Sequence, residues 1–272
     1  MTNKGKSRSV GVCSIATNDY ISLWSDMATS ADQIFTRESN VTFHVFTDQV
    51  EFCNQKIREF KNIQCKVHRI DALIWPAATL DRYKVFFDSR NVLTEDFLVH
   101  LDADMVIHKD FLLELEKFPL SQEITCVAHP GYWRRQLPSR STHSISRRVK
   151  DLYLILRLGA LGAWETSPDS TAFVPRSSRK DYVCGGVWMG NRLAFLDLCE
   201  TLYENVENDH LRKIIAKWHD ESHLNYWVST HDFNLLPPSF CFSKDYPHLS
   251  ELENIIEAIT KEEKFLVSKA SG

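Results

Sequence analysis

The chain has 272 residues, 43% of them apolar and 25% charged, with a formal net charge of −4. This length can bury a sizeable core, and the mild acidity argues against non-specific nucleic-acid binding by the chain as a whole. Seven cysteines without a CxxC pair argue against a disulfide framework or a zinc site.

Residues 1–8 are polar and basic, with no apolar run long enough for a signal peptide or a membrane span, so a cytoplasmic protein without a transmembrane segment is expected. Residues 10–16 read as a buried strand, followed by a turn at Thr17-Asn18-Asp19 and a helix from Tyr20 to Phe35. A second strand covers 41–48, a helix 51–60, and a more alternating strand 63–70. Trp75-Pro76 signals a turn, and a helix is expected over 78–92. The run 97–107 is almost wholly apolar and is interrupted by Asp102 and Asp104. A strand buried on both faces explains the apolar part. The acids then fall at its carboxyl end, and as i and i+2 positions of a strand they share a side and can grip one hard cation. Strands alternating with helices over the first 120 residues indicate a largely parallel α/β sheet.

The second half differs. A strand over 124–128 ends in His129-Pro130-Gly131-Tyr132-Trp133. Residues 134–163 carry seven basic side chains and the single acid Asp151, with Ile145, Val149, Leu152 and Leu156 at helical spacing. An irregular segment around Pro168 and Pro175 leads to the strand 182–190, whose Gly185-Gly186 marks close approach to the backbone. Helices are expected over 192–207 and 209–229, the second containing Trp218-His219-Asp220-Glu221-Ser222-His223-Leu224-Asn225. The tail beyond Pro247 reads as a charged helix with little to bury. There is no internal repeat or linker, so residues 1–272 are read as one domain, with halves at about 10–118 and 119–250.

Single motifs leave alternatives open. An Asp-x-Asp after four apolar residues also begins haloacid-dehalogenase-like phosphatases, but there it ends the first strand. His219 and His223, four apart, could hold zinc, although Asp220 is one methylene shorter than the glutamate of His-Glu-x-x-His and no third ligand is evident.

Taken in order, Ser14-Ile15-Ala16-Thr17 with Tyr20, Phe46-Thr47-Asp48, Asp102-Ala103-Asp104, His129-Pro130-Gly131-Tyr132, Tyr182-Val183-Cys184-Gly185-Gly186 and the eight-residue string 218–225 resemble glycosyltransferase family 6, across residues 10–245. That family holds the ABO blood-group transferases, the α-1,3-galactosyltransferases and soluble microbial relatives. The resemblance implies a GT-A fold, a Rossmann-like sheet flanked by helices, with a nucleotide-sugar-binding amino half and an acceptor-binding carboxyl half. It implies a retaining hexosyltransferase that moves galactose or N-acetylgalactosamine from a UDP-sugar to an oligosaccharide or glycolipid acceptor. By position, Asp102 and Asp104 match the metal motif, for Mn²⁺ or alternatively Mg²⁺. Ile15, Tyr20, Arg82, Asp102, Ala103, Cys184, Gly185, Gly186 and Asp220 match donor contacts; Glu221 matches the catalytic glutamate; His129 and Trp218 match acceptor contacts. Gly186, lacking a side chain, is expected to leave room for an acetamido group and so to favour UDP-N-acetylgalactosamine. A silent nucleotide-sugar-binding protein on the same fold is the alternative.

Two departures from the family pattern stand out. The basic segment 134–163 is longer than the family's usual link, and is expected either to pack on the domain or to form a lid that meets an anionic glycan or a membrane surface. Pro237-Pro238-Ser239 replaces the family's Ser-Pro-Glu string.

Overall fold

Apolar runs too continuous for a sheet surface become the central strands. In the computed structural model, which describes residues 8–134 and 145–259, β1 (Val10–Ile15), β2 (Val41–Thr47) and β4 (Phe97–Leu101) are buried almost throughout. β3 (Gln64–Arg69) alternates between exposed and partly buried positions because it forms an edge. With β6 (Ile124–Ala128), β7 (Val183–Asn191) and β8 (Asn234–Leu236), these strands make a seven-stranded sheet in the order β3-β2-β1-β4-β7-β6-β8. The pairs are parallel except where β7 meets β4 and β6. This is the mostly parallel α/β sheet expected from the alternation of elements, and it is consistent with a GT-A-like fold.

Two apolar layers cover the sheet. Helix α1 (Tyr20–Ile34) buries Trp24, Met27, Ala28 and Ala31, positions three or four apart that form one face. On the other side α7 (Arg192–Leu211) buries Phe195, Leu198, Cys199, Leu202 and Val206 by the same rule, and the Asn191 side chain caps its start by accepting from the Ala194 amide. Neighbouring residues of β1 serve the two layers: Val12 packs with α1, Cys13 with α7. None of the seven cysteines is in a disulfide, and six are buried.

Four expectations need correction. The helix expected over 78–92 is two short ones, α3 (Ala77–Leu80) and α4 (Arg82–Asp88), divided at Asp81, whose ψ of −2° is flatter than a helix allows. The acidic run is not one strand: β4 stops at Leu101, Asp102-Ala103-Asp104 turn, and β5 (Met105–Ile107) pairs instead with β9 (Ile256–Ala258) in a separate ribbon. The part of the tail up to residue 259 is therefore not the expected helix, and residues 260–272 lie outside the described residues; Ile255 and Ile256 are buried where β5 offers β9 an edge to pair with, and Leu249 packs against Ala128 and Trp133. The helix expected from 209 begins ten residues later, as α8 (His219–Thr230), after left-handed backbone at Lys213 and at His219 itself. The acid motif follows the fourth strand of the chain and not the first, which is unlike the phosphatase arrangement. Helices α2 (Val50–Lys56) and α5 (Phe111–Leu115) are short. Of the basic segment 134–163, residues 135–144 lie outside the described residues, and the amphipathic part forms helix α6 (Ile145–Leu158).

Phe86, on α4, sits at the centre of the second layer, with ring centroids 5.6 Å from Phe46, 5.9 Å from Phe195 and 6.5 Å from Trp188. Phe86→Ala should lower unfolding stability by about 3–5 kcal/mol through lost transfer energy and a cavity. Denaturant midpoints measure this, and an unchanged midpoint would refute the packing role.

Candidate active site

The turn that ends β4 carries the acids to the rim of a cavity of about 600 Å³, within the range of small-molecule sites. Ile15, Tyr20, Arg82, Asp102, Ala103 and Asp104 all line it, so six residues from three separate segments meet there. The first segment is the end of β1 and the start of α1; the others are α4 and the acid turn. Thr17 and Asn18 tie the β1 end to the opposite wall through the Leu73 carbonyl, which accepts from both side chains. Tyr20, Ile74 and Trp75 stand exposed at the mouth, 52%, 78% and 70% accessible.

Arg82 links this cavity to the second cluster. Its guanidinium is buried, with Nη2 3.0 Å from Asp102 Oδ1 and Nη1 3.0 Å from Asp220 Oδ2. Nη1 also donates to the Gly185 carbonyl at 3.1 Å and faces His100 Nε2 at 2.8 Å. Burial alone would lower the Arg82 pKa, but Asp102 and Asp220 more than offset that and hold it charged. Burial and Arg82 together lower the His100 pKa. A neutral His100 that donates from Nδ1 to the Cys13 carbonyl, 3.2 Å away, leaves Nε2 to accept from Arg82. His100 was visible in the sequence as the one polar side chain inside an apolar strand, yet no role was attached to it.

Asp220 and Glu221 lie in the first turn of α8, where the helix dipole favours negative charge. Asn225 fastens that helix to β7: its carboxamide oxygen accepts from the Val183 amide, and its nitrogen donates to the Val183 and Glu221 carbonyls. The Tyr83 hydroxyl of α4 donates to the Asp220 carbonyl. Glu221 accepts on Oε1 from the Tyr182 hydroxyl at 2.8 Å and on Oε2 from the Gly185 amide at 2.9 Å. Tyr182 stood in a quoted motif but carried no assignment; only the tertiary contact reveals its hydrogen bond to Glu221.

The glycines of β7 are where other groups come close, as the sequence suggested. A Cβ on Gly185 would stand 2.9 Å from Asp220 Oδ2 and 3.2 Å from Glu221 Cβ. At Gly186 the expectation of open room is corrected: a Cβ there would meet Met105 Cε at 2.8 Å and Asp102 Oδ2 at 2.9 Å. Cys184 is buried in the preceding position of the strand. The His129 ring packs 4.9 Å from Tyr132 and 5.7 Å from Tyr182, which brings it within one residue of Glu221. Burial lowers the His129 pKa to about 4, so it is neutral and accepts on Nδ1 from the Gly131 amide. Trp218, half exposed, precedes α8 directly.

The zinc alternative gains no support. The His219 ring lies against Trp75, whereas His223 is buried 3.9 Å from Asp209. Among the described residues, no group of three or more His, Cys, Asp or Glu side chains is arranged to hold a metal. An ion at the acid turn would thus have Asp102 and Asp104 as its protein carboxylates and would draw further oxygens from a ligand. Hard oxygen donors at the edge of a cavity fit Mn²⁺ or Mg²⁺. Among the described residues no helix is long and apolar enough to cross a membrane.

The profile of glycosyltransferase family 6 matches residues 160–268. The chain is 24% identical to the O-antigen biosynthesis glycosyltransferase WbnI of Escherichia coli, over 87% of this chain and 89% of that one. It is 23% identical to the globoside α-1,3-N-acetylgalactosaminyltransferase 1 of Gallus gallus over 89% of its own length, and 24% identical to the histo-blood group ABO system transferase 1 of Rattus norvegicus over 84%. It spans 64% and 59% of those two animal relatives, just under two thirds of each. The resemblance read from the motifs is borne out.

Burial, followed by the nearby carboxylates, raises Asp220 to about 7, with Arg82 pulling the other way. Burial likewise raises Glu221 to about 7, against the Gly185 and Tyr182 hydrogen bonds. A carboxyl whose pKa is higher folded than unfolded favours folding in its protonated form. Its contribution is complete below the unfolded value and is lost as pH rises through about 7. Between about pH 5 and about pH 8 the ligand-free chain should therefore lose on the order of 2 kcal/mol relative to Glu221→Gln, which cannot ionise. Denaturant unfolding of both proteins across that range measures the difference. A constant gap would show that Glu221 does not titrate in this window.

Proposed function

We propose that the chain belongs to glycosyltransferase family 6, whose profile matches residues 160–268, and that it is a retaining hexosyltransferase. It would move galactose or N-acetylgalactosamine from a UDP-sugar to a glycan hydroxyl in an α-1,3 linkage. The observation that carries this is the buried Arg82, which joins the acid turn on the cavity to the carboxyl pair of α8. A donor site and a catalytic acid set are thereby one connected structure, which a separate binding pocket would not require.

In this reading the cavity between β1, α1 and the acid turn takes the nucleotide, with Ile15 and Tyr20 at the uridine. Asp102 and Asp104 would hold the divalent ion, Mn²⁺ or Mg²⁺, whose chemistry is to neutralise charge growing on the leaving diphosphate. Arg82 orients Asp102 and Asp220 by its two ion pairs, and Asp220 and the β7 glycines contact the donor sugar. A retaining transfer needs a negative group on the face of the anomeric carbon opposite the leaving group. We assign Glu221 to that role, aimed by Tyr182 and the Gly185 amide. His129 and Trp218 would line the acceptor side. Of the two donors we propose UDP-N-acetylgalactosamine, the sugar in the name of the globoside transferase that the chain resembles, and not on the ground of open space at position 186, which Met105 and Asp102 fill. A methyl there would displace Asp102 as well as narrow the sugar site, so the test is direct competition of the two donors on the unaltered enzyme.

UDP release from each donor, with and without Mn²⁺, tests the activity, and no release in any combination would refute it. Asp102→Asn or Asp104→Asn should abolish most transfer and the response to Mn²⁺, with weaker UDP binding. Both variants remaining active in a chelator would remove the metal assignment.

Glu221→Gln should keep donor binding while turnover falls by several orders of magnitude, as loss of a dominant electrostatic contribution does. Tyr182→Phe removes a hydrogen bond to a charged group, about 1.5–3 kcal/mol. Turnover should drop roughly 10- to 100-fold, with the acid limb of the pH profile moved upward because the carboxylate has lost a donor. A profile that stays in place would mean that Tyr182 does not position Glu221.

A further inference from the structure

Helix α6 presents an apolar surface that the transfer reaction leaves unused. Leu152, Tyr153, Ile155 and Leu156 are 58%, 57%, 40% and 64% exposed. At about 100° per residue these four cover an arc of about 160°. Asp151, Leu154 and Leu158, on the opposite arc, are the partly buried ones. The stripe that spacing alone would turn inward thus faces solvent at Leu152 and Leu156. Other exposed large apolar residues include Leu113 and Leu193 on separate helices, and Ile74 and Trp75 at the rim of the cavity. Isolated ones are ordinary, whereas four in five positions of one helix are not.

The helix is fixed to its surroundings. Arg134 Nε donates to Asp151 at 2.8 Å, Arg179 Nη1 donates to the Leu158 carbonyl at 2.9 Å, and Arg176 donates to the Leu156 carbonyl. The helix sequence is also basic: it carries Arg147, Arg148, Lys150 and Arg157 against Asp151 alone, and Asp151 is already paired with Arg134. The chain as a whole is at −4, so the positive charge is concentrated here. The helix also borders the acceptor side. Ile155 and Gly159 line a cavity of about 380 Å³ together with Tyr132 and Tyr182, and Tyr182 donates to Glu221.

We propose that α6 is an interfacial helix that seats the chain on an anionic phospholipid bilayer, its apolar strip in the headgroup boundary, with the net positive charge of its sequence favouring anionic lipid. An apolar face joined to clustered Lys and Arg is the composition that binds such surfaces. An acceptor glycan whose carrier is anchored in that bilayer is then offered to the groove at Tyr132 and Tyr182; this second step rests on the glycosyltransferase reading, whereas the docking itself does not.

Flotation of the full chain tests docking, using vesicles of phosphatidylcholine alone and of phosphatidylcholine mixed with phosphatidylglycerol. The chain should float with the anionic vesicles only, and less so as salt shortens the screening length. The double variant Leu152→Ser with Leu156→Ser should reduce the bound fraction roughly tenfold or more, and Arg157→Glu should reduce it by a smaller factor. Both variants should keep the thermal midpoint and donor hydrolysis of the parent. Absence of wild-type binding to anionic vesicles, or equal binding by the double variant, overturns the proposal. So does sedimentation showing a dimer that the double substitution dissociates, since the strip would then cover a second copy of the chain. If flotation holds while UDP release fails, docking stands and the transfer reading falls; the reverse result separates them the other way.

Discussion

A buried arginine needs compensating charge, and the site is arranged around that requirement. Taking the Arg82 guanidinium out of water would cost several kcal/mol if it were unpaired. Two carboxylates from distant parts of the chain, Asp102 and Asp220, meet it at 3.0 Å each, and neutral His100 and the Gly185 carbonyl occupy further directions around it. Because the fork of a guanidinium is planar and rigid, it sets the relative placement of the acid turn and the first turn of α8. The division of the helical run at Asp81 follows the same geometry, since Arg82 opens a new helix beneath both acids.

The antiparallel insertion of β7 beside β4 provides the other half of the arrangement. Pairing of Leu101 with Val187, and the bond from the Asp102 amide to the Gly186 carbonyl, bring the end of β4 alongside the glycine pair. With no Cβ at 185 or 186, the carboxylates of Asp220 and Asp102 approach the strand more closely than any side chain would allow. The glycines therefore act by admitting the acids on both sides of one strand.

Concentrating carboxylates has an electrostatic consequence. Asp102 and Glu221 disfavour ionisation of Asp220, Asp102 disfavours that of Glu221, and one cation, Arg82, is ion-paired with Asp102 and Asp220. The carboxylates thus outnumber the cations around them, which favours the binding of further positive charge. Glu221 is held by a hydroxyl and an amide instead of by the arginine, so its charge remains uncommitted to an ion pair.

Sequence alone determined the type of sheet and the identity of most side chains in the site. Continuous apolar runs can only be buried strands, and the string 218–225 is too specific to arise by chance composition. Six of the assigned donor and metal residues do line one cavity. Local pattern could not determine where the elements stop, because those limits depend on distant partners. The acid run breaks at Asp102 because β9, some 150 residues later, pairs with Met105–Ile107. The eight-residue string begins a helix, instead of lying within one, because left-handed backbone at His219 separates it from α7. The bond from Tyr182 to Glu221, the filling of the space at Gly186 by Met105 and Asp102, and the outward face of α6 are likewise tertiary facts. Each depends on which surfaces remain uncovered after packing, and periodicity along one segment carries no information about that.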